Sequence, residues 1–71
     1  MTMREAEQVN GVLVDLHNQY LSAFTRLEGA RWEVVREARD VASLAHEDWA
    51  AGRLRAAVNG YCAALLILQE A

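Results

Sequence analysis

The chain has 71 residues, 54% apolar and 24% charged, with no proline, no lysine, one cysteine and four glycines. That length holds one small domain, residues 1–71, and the composition excludes collagen, low-complexity disorder and a disulfide scaffold. The net charge of −3 divides as −2 over residues 1–28, −2 over 29–51 and +1 over 52–71. No segment carries the basic excess that neutralises phosphates, so neither nucleic acid nor an anionic membrane surface is an expected partner.

Every segment reads as helix, because no stretch alternates apolar and polar residues with period two. The fold class is therefore all-α, an antiparallel helical hairpin or three-helix bundle with helices over about 2–28, 30–51 and 53–70. The first helix opens on a capping box, Thr2 with Glu5. Ala6, Val9, Leu13, Leu16, Tyr20, Ala23 and Leu27 follow at steps of three and four, with Val12, Leu21 and Phe24 widening the stripe. Gly11 lies inside this helix at a cost of up to about 1 kcal/mol against alanine. Gly29 marks the predicted break, as a left-handed C-cap.

The second helix sets Val34, Ala38, Val41, Ala42, Ala45 and Trp49 against a polar face of Glu33, Arg36, Glu37, Asp40, Ser43 and Glu47. Arg36 and Asp40 are spaced to pair. Gly52 ends it. The third helix is apolar nearly all round. Leu54, Ala57, Val58, Tyr61, Leu65 and Leu68 form one row, expected to pack on the first helix through Leu13, Leu16 and Tyr20. Ala56, Gly60, Ala63, Ala64 and Ile67 form another. Two neighbours in so small a chain do not cover both rows, which predicts a homodimer or another helical protein as partner. The expected association surface comprises Ala56, Gly60, Tyr61, Ala63, Ala64, Leu65 and Ile67, small in its middle so that helices approach closely.

Over residues 38–71 the spacing resembles a tetratricopeptide repeat, a 34-residue helix–turn–helix unit. Leu44 and Ala45 match its first-helix leucine and small residue, and Gly52 its turn. Ala57, Tyr61, Ala64 and Leu65 follow in the second helix. The closing proline is replaced by Gln69, the first-helix aromatic comes one position late as Trp49, and there is one copy. The resemblance implies close packing of two helices and a protein-binding role. In size and build alone, the chain is also similar to small acidic co-chaperones of type III secretion needle subunits.

Chemistry-bearing residues are sparse. His17 and His46 lie on different helices without a histidine or cysteine three or four residues away, so neither metal nor cofactor is expected. No nucleophile has a base and an orienting group at workable spacing, and the chain does not read as an enzyme. Cys62 has apolar neighbours and reads as a buried, unreactive thiol in a reducing compartment, the cytoplasm. Residues 1–7 are polar and acidic, unlike a signal peptide. The expected function is that of a homo-oligomeric adaptor, chaperone-like or assembly subunit. The alternative is an oligomeric nucleic-acid-associated regulator that assembles a basic surface from Arg31, Arg53 and Arg55.

Overall fold

A computed structural model describes residues 2–27 and 32–70. They form three helices, α1 (Met3–Leu27), α2 (Trp32–Ala50) and α3 (Leu54–Gln69), with no strand among the described residues. The chain runs up, down and up, so that α3 lies parallel to α1 and antiparallel to α2. The all-α reading holds. The expected stop at Gly29 lies outside the described residues.

Local chemistry accounts for the start of α1 and the turn from α2 into α3. The Glu5 backbone N–H donates to Thr2 Oγ1 at 3.2 Å, giving α1 its N-cap. At the end of α2, Gly52 adopts φ +82°, a left-handed conformation that glycine enters without a Cβ penalty. Its N–H donates to the Trp49 carbonyl at 3.0 Å, and the Arg53 N–H donates to the Asp48 carbonyl at 2.8 Å. This pair of bonds is a Schellman motif, and it turns the chain straight into α3. Arg53 Nε also donates to Asp48 Oδ1 at 2.8 Å across the same turn. This, rather than the expected Arg36–Asp40 contact, is the ion pair found among the described residues.

The core consists of Leu13 and Tyr20 from α1, Val35, Ala38, Ala42 and Ala45 from α2, and Ala57, Tyr61, Ala64 and Leu68 from α3. Half of it is alanine, and the large side chains buried to under 2% exposure are Tyr61 and Leu13. Alanine at these positions lets α2 and α3 approach closely. A Cβ built on Gly60 would stand 2.6 Å from the Cβ of Ala45, nearer than real Cβ atoms come, so the crossing requires glycine. Helix α3 packs its backbone against both other helices, whereas α1 and α2 meet chiefly through side chains. No helix among the described residues is long and apolar enough to cross a membrane.

Candidate functional site

The three helices bring His17 of α1, His46 of α2 and Tyr61 of α3 together near the middle of the bundle. The buried Tyr61 hydroxyl lies 3.0 Å from His17 Nδ1 and 3.4 Å from His46 Nδ1. The two imidazole centroids are 6.0 Å apart, and the His17 ring stands edge-on to Tyr61 at 5.6 Å. Trp49 closes one end, with ring centroids 6.2 Å from each histidine and 6.3 Å from Tyr61. Its indole Nε1–H donates to Asn10 Oδ1 at 2.9 Å, a second polar link from α2 to α1. Beyond Tyr61, Tyr20 and Phe24 continue the aromatic column. Burial pushes the Tyr61 phenol above the ordinary tyrosine range. It does the same to Tyr20, with Arg39 pulling partly back. Both phenols therefore keep their protons at neutral pH.

A cavity of about 360 Å³ opens beside this cluster, lined by His17, Tyr20, Arg39, Ser43, His46 and Glu47 among others. Chemically the cluster offers two imidazoles and a neutral phenol. No group of three His, Cys, Asp or Glu side chains suited to a metal forms among the described residues. The spacing test within a single helix missed this cluster because its members come from three helices. The signal that could have found it is the position of His17 one residue past the apolar seam of α1, together with His46 one residue past Ala45.

A second feature is the groove between the parallel helices α1 and α3. Cavities of about 380 and 470 Å³ lie toward its two ends. The first is lined by Val9, Val12, Arg55, Val58 and Asn59 among others, the second by Gln19, Ala23, Arg26, Leu65, Leu68 and Gln69 among others. Along α3 the steps Asn59, Cys62, Leu66 and Gln69 continue one stripe beside it, as Val12 and Gln19 do on α1. Val12 is 48% and Leu66 62% exposed.

The residues expected to meet a partner are divided between these settings. Gly60 packs on Ala45, while Tyr61 and Ala64 belong to the core. Leu65 lines the groove, Ile67 packs half-buried on the core, Ala63 is half-buried and Ala56 is exposed. They do not form one open row. The reason is geometric: the buried face of α3 runs through Ala57, Tyr61, Ala64 and Leu68, and Gly60 lies on the flank of it that meets α2. Cys62 corrects an expectation outright, being exposed rather than buried. It sits one residue, about 100°, past Tyr61 and so turns out of the core. No protein-family model matches this chain, and no curated protein or solved structure is significantly similar to it.

Proposed function

We propose that the protein is a small helical protein–protein association module, acting as a homodimer in the manner of an adaptor or assembly subunit. The observation that carries this reading is the uncovered α1–α3 groove on a chain with an undersized core. The accessible surface is 4937 Å². A compact monomer of 7.9 kDa is expected to expose roughly 4,400 Å². The excess follows from a rod measuring 41 × 17 × 15 Å, one helix long and little more than two helices across. A standard interface removes about 800 Å² from each partner, which a second copy laid along the groove would supply. In this reading the occupant is a second copy, which across a two-fold axis lays helices of the opposite sense beside α1 and α3. Its apolar contacts are Val12, Cys62, Leu65 and Leu66. The repeat-like packing of Ala45, Ala57 and Tyr61 is compatible with the same role.

Sedimentation equilibrium at micromolar concentration tests it. The wild-type chain is expected to sediment as a dimer, and Leu66→Glu as a monomer with unchanged helical circular dichroism. A wild-type monomer with a cooperative melt, or a Leu66→Glu dimer of undiminished affinity, refutes the proposal.

A further inference from the structure

We propose that His17, His46 and Tyr61 form a binding site for a divalent late transition-metal ion, copper(II) or zinc, held by two imidazoles and the phenol oxygen. The proposal goes beyond the association reading and does not depend on it. Each helix supplies one donor, and all three residues line the same cavity of about 360 Å³. The Tyr61 hydroxyl oxygen stands 3.0 Å from His17 Nδ1 and 3.4 Å from His46 Nδ1. Bonds of about 2.0–2.1 Å to a tetrahedral ion hold its donor atoms about 3.3 Å from one another. The same bonds place the centroids of two imidazoles on one ion about 5–6 Å apart. Here the two centroids are 6.0 Å apart. The spacing of the three side chains is that of donors sharing an ion.

Donor type narrows the ion. Two nitrogens and one oxygen suit copper(II) and zinc, whereas calcium and magnesium ask for oxygen alone. His46 is exposed and His17 half-buried, so an ion has a way in from solvent and water completes its coordination. Arg39 and Glu47 line the same cavity and offset one another, leaving no net positive charge there to repel a cation. On binding, the Tyr61 O–H bond breaks, its proton passes to water, and the freed lone pair forms the oxygen–metal bond. No electron is transferred. The donors converge only when α1, α2 and α3 are packed together, so the ion binds the folded bundle in preference to the open chain and stabilises it.

Titration with copper(II) at neutral pH, followed by tryptophan fluorescence and visible absorption, tests this. Trp49 lies 6.2 Å from each imidazole and reports occupancy by quenching. The wild type is expected to bind a single copper ion with a phenolate-to-copper charge-transfer band in the visible. His17→Gln and His46→Gln, both outside the buried core, should each weaken binding by about tenfold or more. Tyr61→Phe should remove the band. Equimolar zinc should raise the Tm of the wild type and leave that of His17→Gln unchanged. No saturable binding by the wild type, a copper complex without the band, or undiminished binding in either folded histidine variant overturns the proposal.

Discussion

The α2–α3 hairpin and the docking of α1 are built on different principles. The hairpin is joined backbone to backbone: Gly60 lies on Ala45, alanines recur along both helices, and the Gly52 turn is fixed by two main-chain bonds and the Arg53–Asp48 pair. Helix α1 is held by bulk and by polar atoms, through Leu13, Tyr20, the His17–Tyr61 contact and the Asn10–Trp49 bond. A close-packed seam is hurt most by adding an atom. A joint made of large side chains is hurt most by removing one.

Substitutions of opposite kind separate the two regions. The largest effect is expected from Leu13→Ala, which empties a site with 0% exposure and should cost about 2–5 kcal/mol in urea denaturation. Native-state hydrogen exchange on that variant should rise first in α1, and uniform loss of protection across all three helices would show that the two regions do not separate. Gly60→Ala is expected to cost less, roughly 0–2 kcal/mol. The helix-propensity gain of about 1 kcal/mol partly offsets an overpacking cost of about 1–3 kcal/mol. Neither Ala45 nor the new methyl has a rotamer by which to move aside, so a stabilised Gly60→Ala variant would contradict the close approach of α2 and α3.

Much of this was legible in the residues. Steps of three and four apolar positions located all three helices, with Leu13 and Tyr20 on the seam of α1, and Gly52 marked the turn. The face of α3 was not legible in the same way. Alanine or another apolar residue occupies almost every direction around it, so periodicity leaves the rotation of that helix undetermined, and the apolar neighbours of Cys62 point inward although the residue is exposed. Val35 was missed beside Val34 for the same reason, since adjacent valines differ by a single 100° step. The histidine cluster was hidden differently. Spacing within one helix says nothing about which residues of separate helices stand level in the bundle, and that depends on the length of each connection and on the depth of packing.

The alanine and glycine seam has a consequence for the order of folding. These residues have no side-chain rotamers to freeze, and a short turn keeps the loop-closure cost low. Pairing α2 with α3 therefore surrenders little entropy, whereas seating Leu13, Tyr20 and His17 requires long side chains to be ordered across a larger span of sequence. The hairpin is expected to be formed in the folding transition state, with α1 docking after it. Stopped-flow chevrons of the same two variants read this directly. Gly60→Ala should mainly slow refolding and Leu13→Ala mainly accelerate unfolding, and the reverse pattern would place α1 in the nucleus.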